Sequence, residues 1–259
     1  LDVKDLHYSE HGVTKVDKVN FSIRGGEILG VAGVQGNGQE QLIKAITGLI
    51  PFQDGTVKLS GTEIQGMNIA QKRDAGMAYI PEDRMIDGSA PAASIQDNLI
   101  STCYEQPKYS GKIFLKQSVI REESQELIDR FSIKTQSEKE KVSALSGGNI
   151  QKVVVAREWN NKPKLMIAEQ PTRGIDIGSA AYIHHQLIDM RNSGAAVLLV
   201  SADLNEVLKL SDRLIVMYEG EIVAYFPSLK GVTESQLGLY MLGVEHQSEK
   251  EIREASYDD

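Results

Sequence analysis

The feature that most constrains this chain is a glycine-rich turn, Gly33-Val34-Gln35-Gly36-Asn37-Gly38, set between two apolar segments. The residues before it, Ile28-Leu29-Gly30-Val31-Ala32-Gly33-Val34, form an almost wholly apolar run, as a strand buried on both faces does. After it, Leu42, Ile43, Ile46 and Leu49 recur on one side of a helical pattern that closes at Gly48 and Pro51. A buried strand turning through glycines into a helix calls for an α/β layer architecture. In such a turn backbone N–H groups converge on an anion, and the helix start adds partial positive charge. This is the setting of a phosphate loop of pattern GxxxxGK[ST], yet Gln39 and Glu40 stand where Lys and Ser/Thr belong. Taken alone, the segment is either a phosphate loop without its cation and magnesium-binding hydroxyl, or a plain glycine turn.

The rest of the chain alternates in kind. Strand-like runs occupy Leu1–Tyr8, Lys15–Ile23 and Glu27–Val34, with a hairpin of 55–60 and 63–64 around Gly61 and a short strand 77–80 ended by Pro81. From about Ser94 to Asn160 the pattern turns helical, including an amphipathic helix expected over Phe114–Phe131. Buried strands return at 165–168 and 195–201, separated by a helix over Ser179–Asn192, and a hairpin crosses Glu219-Gly220. This rhythm predicts a mostly parallel sheet with the 94–160 helices inserted as a subdomain. The tail, residues 245–259, is charged and aromatic-poor and reads as disordered. Leu1 rather than Met at the start is what a piece of a longer polypeptide would show.

Composition removes several function classes. A net charge of −8 argues against a non-specific nucleic-acid binder, whose footprint is basic. The single cysteine, Cys103, excludes an internal disulfide framework and a cysteine-based zinc site. His184 and His185 are adjacent, which puts them on different faces of a helix rather than on one metal. No apolar run approaches the roughly 20 residues of a membrane span.

Two further segments carry chemistry. Leu145-Ser146-Gly147-Gly148-Asn149-Ile150-Gln151-Lys152 leads into a helical pattern, with Ser146 as the expected N-cap and two glycines leaving the helix start open. It is an anion receptor without a charged side chain, or simply a capped helix. Leu165-Met166-Ile167-Ala168-Glu169-Gln170-Pro171-Thr172 is an apolar strand ending in a carboxylate, placed to hold magnesium through water, or a buried strand meeting a polar loop. Arg173-Gly174-Ile175-Asp176 and Ser201-Ala202-Asp203-Leu204 follow.

In this order the segments resemble the nucleotide-binding domain of ABC transporters, over Leu1–Phe226. Leu145–Gln151 resembles the family's signature, Leu165–Thr172 its Walker B strand, Arg173–Asp176 its D-loop, and Tyr79-Ile80-Pro81-Glu82-Asp83-Arg84 lies where its Q-loop lies. The resemblance implies the ABC ATPase fold over residues 1–244: a P-loop NTPase core with a mostly parallel sheet, an N-terminal antiparallel β subdomain and an inserted α-helical subdomain. A narrower resemblance, carried by Ile80–Arg84, Gln170–Asp176 and Ser201–Leu204, is to the second half of tandem ATP-binding proteins of ribose/galactose-type sugar importers and nucleoside importers. Gly36-Asn37-Gly38-Gln39 and the Gln170 before Pro171 look more like the nucleoside branch.

The departures from the family pattern carry the functional expectation. Gln39 replaces the phosphate-loop Lys, Glu40 the Ser/Thr, Glu169 the Walker B Asp, Gln170 the catalytic Glu, Glu82 the Q-loop Gln and Ala202 the switch His. No adenine-stacking aromatic is clear; counting back from Phe21 gives Glu10, with Tyr8 and His11 beside it. A unit charge pair at ~4 Å is worth about 4 kcal/mol at an effective dielectric of 20, so a Gln for the Lys is a large loss. Gln170 can orient water but cannot accept its proton as a carboxylate would. Glu169 remains a weak magnesium candidate, and Gly33, Gly36, Asn37 and Gly38 keep backbone donors.

The expectation is a degenerate ATP site beside an intact signature, Ser146, Gly147, Gly148 and Gln151, with Asp176 in the D-loop. In the family two domains sandwich ATP head to tail, so this signature would complete the site of a competent partner. The implied cofactors are ATP and Mg²⁺. The implied partners are a second ABC domain in the same full-length polypeptide, transmembrane permease subunits and, indirectly, an extracytoplasmic solute receptor, with no nucleic acid. The implied place is the cytoplasmic face of the membrane. Segment Glu82–Ser94, with Met85, Ile86, Pro91 and Ala92, would meet the permease. A fully active soluble ABC ATPase is disfavoured by the missing Lys, Glu and His; a non-catalytic nucleotide-binding module stays open. A dinucleotide-binding oxidoreductase lacks the GxGxxG spacing.

Overall fold

The computed structural model describes residues 1–256 and divides into two compact units. One comprises Leu1–Tyr79, Lys164–Gln170 and the chain from Leu187; the other comprises Ile80–Pro163 and Pro171–Gln186. The second is broader than the helical insertion expected at 94–160.

The first unit holds two sheets. The antiparallel one has the order β2 (Val13–Ser22), β1 (Asp2–Glu10), β4 (Asp54–Leu59), β5 (Thr62–Glu63). The other runs β10 (Glu221–Phe226), β9 (Arg213–Tyr218), β3 (Ile28–Ala32), β8 (Ala196–Val200), β7 (Leu165–Glu169), β6 (Met77–Ile80). Every residue of β3, β7 and β8 is buried, which is why their sequences are unbroken apolar runs rather than alternating ones. The pairs β3–β8, β7–β8 and β3–β9 are parallel; β10 closes the edge antiparallel to β9. In register, Val31, Val200 and Glu169 stand level across three neighbouring strands. The residues after them therefore gather at one edge, where open parallel sheets place their ligands.

Helix α1 (Gln39–Thr47) buries Leu42, Ile43, Ala45 and Ile46 in the core shared by the two sheets and stops at Gly48, whose φ of 85° lets its N–H return to the carbonyls of Lys44 and Ala45. Helix α2 (Ile69–Asp74) supplies Lys72, whose buried ammonium donates to the Ile46 carbonyl at 2.8 Å; burial holds its pKa below the usual lysine value. Helices α7 (Leu204–Leu210) and α8 (Glu234–Met241) cover β3 and β9 from their other side with Val207, Leu210, Leu237 and Met241.

In the second unit α3 (Ile95–Ile100), α4 (Gln117–Arg130) and α5 (Gly147–Asn160) pack together, with Ile100, Cys103, Tyr109 and Ile120 in one apolar cluster. The helix expected from Phe114 begins three residues later. The Lys116 N–H donates to the Tyr109 carbonyl at 2.7 Å and Ser110 bridges Leu115, so 110–116 is a turn with Ile113 and Phe114 exposed at its tip. Helix α6 (Ile177–Asn192) begins in this unit and ends in the first.

The charged tail differs from its expected disorder. Glu249–Ser256 forms helix α9, and Ile252 packs on the core of the first unit. Gln247 pairs with the free edge of β10: its N–H donates to the Val223 carbonyl at 2.9 Å and its Oε1 accepts the Tyr225 N–H at 2.7 Å. An edge strand's unpaired backbone groups recruit the polar segment, which composition cannot show. Residues 257–259 of that tail lie outside the described residues. Among the described residues no helix is long and apolar enough to cross a membrane.

Candidate functional site

The glycine turn leaves β3 and enters α1 through Gly36 and Gly38, each at φ 98°, and no side chain caps the helix start. A Cβ on Gly38 would overlap the Lys15 carbonyl. Gly38→Ala is therefore expected to destabilise the protein by about 1–3 kcal/mol from backbone strain alone, read as a lower denaturant midpoint; an unchanged midpoint would contradict this turn geometry. Asn37 faces inward. Its Oδ1 accepts the Glu219 N–H at 3.2 Å, its carbonyl accepts the Gly220 N–H at 3.1 Å, and its Nδ2 reaches the Met241 carbonyl at 3.4 Å.

Gln39 is only 7% exposed. Its amide lies over Gly33, where any Cβ would collide with it, and Nε2 donates to the Val34 carbonyl at 3.3 Å. Instead of reaching outward as a phosphate-loop cation would, the side chain closes the loop on itself. Glu40 is bound by Lys44 one turn on, at 2.6 Å. A carboxylate in the first turn suits the helix dipole but repels an arriving phosphate.

The strand ends complete this edge. Glu169 is buried at the end of β7 and accepts the Tyr79 hydroxyl at 2.5 Å. Gln170 takes a left-handed φ of 46°; its N–H donates to the Val200 carbonyl at 2.8 Å, and its Oε1 accepts the Ala202 N–H at 3.2 Å. Ala202 is exposed and brings no side-chain polar group. Among the described residues no three metal-binding side chains cluster, and the one carboxylate at the expected magnesium position is held by a tyrosine. The residues present do not fit a hydrolytic magnesium site. Tyr8, a stacking candidate, is buried in the core, while Glu10 and His11 are exposed where β1 turns into β2.

The second unit carries the other motif. Ser146 occupies the N-cap position of α5 without capping it: its Oγ accepts from Asn149 Nδ2 at 2.9 Å, while Asn149 Oδ1 accepts the Lys134 N–H at 2.9 Å. The expected cap bond is thus replaced, and Ser146 leaves the N–H groups of the first turn of α5 uncapped. Gly148 lies against Asp176, with Oδ2 2.8 Å from the place of a Cβ. Asp176 accepts the Ser179 N–H at 2.9 Å and its hydroxyl at 2.8 Å, which together hold the carboxyl below the usual aspartate value. Gln151, expected beside the glycines, is 3% exposed and is packed inside the unit.

Glu82 forms an ion pair with Arg173. Asp83 accepts the Met85 and Ile86 N–H groups, leaving Met85 and Ile86 exposed on a tight turn; Ala92 is exposed and Pro91 half-buried. Arg84 and Asn149, both central to this geometry, carry no role in the sequence reading. Arg84 belongs to the same Tyr79–Arg84 string that Glu82 drew attention to.

The chain is 39% identical over 244 residues to the nucleoside import ATP-binding protein NupA of Lactococcus lactis subsp. cremoris (strain MG1363), covering 94% of this chain and 48% of that protein. It is 39% identical over 243 residues to the guanosine import ATP-binding protein NupO of Bacillus subtilis (strain 168), covering 94% and 47%. It is 31% identical to the ribose import ATP-binding protein RbsA of Lactococcus lactis subsp. cremoris (strain SK11), covering 92% and 48%. The chain thus spans about half the length of these relatives. Among solved structures, the ATP-binding cassette MJ1267 of an ABC transporter superposes with a TM-score of 0.78 at 20% identity, covering 94% of this chain and 97% of that one. The dimeric structure of MJ0796, a bacterial ABC transporter cassette, gives 0.76 at 20% identity, covering 89% and 99%. These likenesses establish the ABC ATPase fold. The ABC transporter family profile matches residues 16–173, more than half of the 259 residues, and the chain belongs to that family.

Proposed function

We propose that this chain is the degenerate ATP-binding half of an ABC importer. It pairs with a competent ABC domain and completes that domain's ATP site through Ser146, Gly147 and Gly148, coupling hydrolysis to solute uptake. One observation carries the reading: the side chains at the hydrolytic positions are tied up by internal hydrogen bonds, Gln39 to Val34, Glu169 to Tyr79 and Gln170 to Ala202. The signature helix, like α1, starts with no side-chain cap, but unlike α1 it carries no carboxylate in its first turn. Local hydrolysis needs a cation at the phosphates and a group that takes the proton of the attacking water, and neither is offered here. A partner's γ-phosphate needs neutral, preorganised donors, which two glycines, a hydroxyl and a helix start supply. The dimeric MJ0796 cassette supports pairing of two such domains. The competent partner domain, in this reading, lies in the same polypeptide.

The proposed solutes are nucleosides, supported by the nucleoside and guanosine importers at 39% identity; the ribose relative at 31% supports a simple-sugar solute less well. Residues 82–94 face the permease subunits on the cytoplasmic side of the membrane, with Met85 and Ile86 as the apolar contact.

The test is ATP hydrolysis by the purified chain with magnesium. Expected is turnover no higher than that of its Glu169→Ala variant, since Gln39 brings no cation to the phosphates and Gln170 no base to the attacking water. Turnover at the level of a competent family member, abolished by Glu169→Ala, would overturn the reading.

A further inference from the structure

We infer that Arg84 is a positioning residue that locks the signature turn to the loop carrying Arg173–Asp176. Its Nη1 donates to the Arg173 carbonyl at 2.8 Å and its Nη2 to the Gly174 carbonyl at 3.3 Å. The same Nη2 lies 2.8 Å from where a Cβ would stand on Gly147, so the guanidinium packs on the bare backbone of the first signature glycine. Gly148, the next residue, rests on Asp176 at the far end of that loop. One planar group thus sets the spacing between the signature turn and the loop of residues 173–176. Its Nε is buried with no partner, so the guanidinium holds more donors than the surrounding carbonyls take up.

Arg84 is itself fixed on the turn of residues 83–89. The Ser89 hydroxyl donates to its carbonyl at 2.7 Å, and a Cβ on Gly88 would stand 2.7 Å from its Cα. The Gly88 carbonyl accepts from Arg157 of α5 at 2.8 Å, a second link from this turn to the signature helix. Met85 and Ile86 are exposed on the same turn. A displacement of that turn therefore reaches Gly147 and Gly174 directly through Arg84, with Arg157 as the second link to α5. The inference rests on the reading that the signature serves a partner's nucleotide, and it names the residue through which the permease-facing turn sets the signature's position.

The experiment compares Arg84→Ala, Arg84→Gln, Arg84→Lys, Gly147→Ala, Gly147→Asp and the double variant Arg84→Ala/Gly147→Ala in the assembled transporter. ATPase kcat and KM are measured with and without solute-loaded receptor. Arg84→Ala is expected to lower kcat about 10- to 100-fold with KM for ATP little changed, the size of effect that misplacement by about 1 Å produces. Stimulation by loaded receptor is expected to be lost. Arg84→Lys should not restore it, because an ammonium cannot span two carbonyls as a planar fork does. In the double variant the losses should not add, since Gly147→Ala acts mainly by displacing Arg84. If Arg84→Ala does not fold, Arg84→Gln is read against the same criteria. Wild-type kcat and stimulation in the Arg84 variants, or additive losses in the double variant, overturn the inference. If they occur while Gly147→Asp is inactive, the in-trans reading survives. An active Gly147→Asp overturns both.

Discussion

Gly147→Asp in the assembled transporter is expected to lower ATP turnover by about 10²–10³, the usual effect of losing a preorganised donor aimed at developing charge. Three features of the site add in the same direction. A side chain at Gly147 collides with the Arg84 guanidinium, whose Nη2 would lie 2.8 Å from its Cβ. The new carboxylate stands at the open start of α5, where it would occupy the N–H groups proposed to receive a γ-phosphate. Its charge also repels that phosphate, on a scale of about 4 kcal/mol for unit charges at 4 Å and an effective dielectric of 20. Turnover within threefold of wild type, in a variant that assembles normally, would contradict the role given to the signature.

Gln39→Lys is expected to act on binding rather than on chemistry. The wild-type amide is folded over Gly33 and bonded to Val34, so the loop offers an arriving phosphate no side-chain donor from this position. A lysine at this position, 7% exposed, would carry the desolvation cost of its charge, which extending toward the loop mouth relieves. ATP affinity of the isolated chain, measured by titration calorimetry, should rise roughly 10- to 100-fold, a fraction of the Coulomb scale above. Hydrolysis should stay absent, because Glu169 remains bonded to Tyr79 and Gln170 cannot take a proton from water. Restored turnover in this single variant would show that charge alone was missing and that Gln170 is competent.

Much of the fold can be read from sequence because its cues are local. The all-apolar runs of β3, β7 and β8, the glycines flanking α1 and the Gly220 hairpin each specify their own backbone. The start of α4 could not be read, because it depends on the bond from Lys116 to Tyr109, and the ordering of 247–256 depends on an edge strand more than twenty residues earlier. The site divides in the same way. That Gln39, Gln170 and Ala202 replace charged or proton-transferring groups is visible residue by residue. That Tyr79 takes up Glu169, ninety residues away, is not, nor that Asn149 replaces the backbone as the partner of Ser146. Arg84 escaped notice because its meaning lies in its contacts with Gly147 and Gly174, which only the folded chain brings together.

The central claim is that ATP is hydrolysed at a site to which this chain lends its signature and not its phosphate loop. Vanadate trapping of a photoreactive azido-ATP in the assembled transporter, followed by mapping of the labelled peptides, reads this directly. The account predicts trapped label on the partner ABC domain and its loss in Gly147→Asp, with no trapped label on peptides containing Glu10–His11 or Gly33–Glu40 of this chain. Trapped label on those peptides, surviving Gly147→Asp, would contradict it.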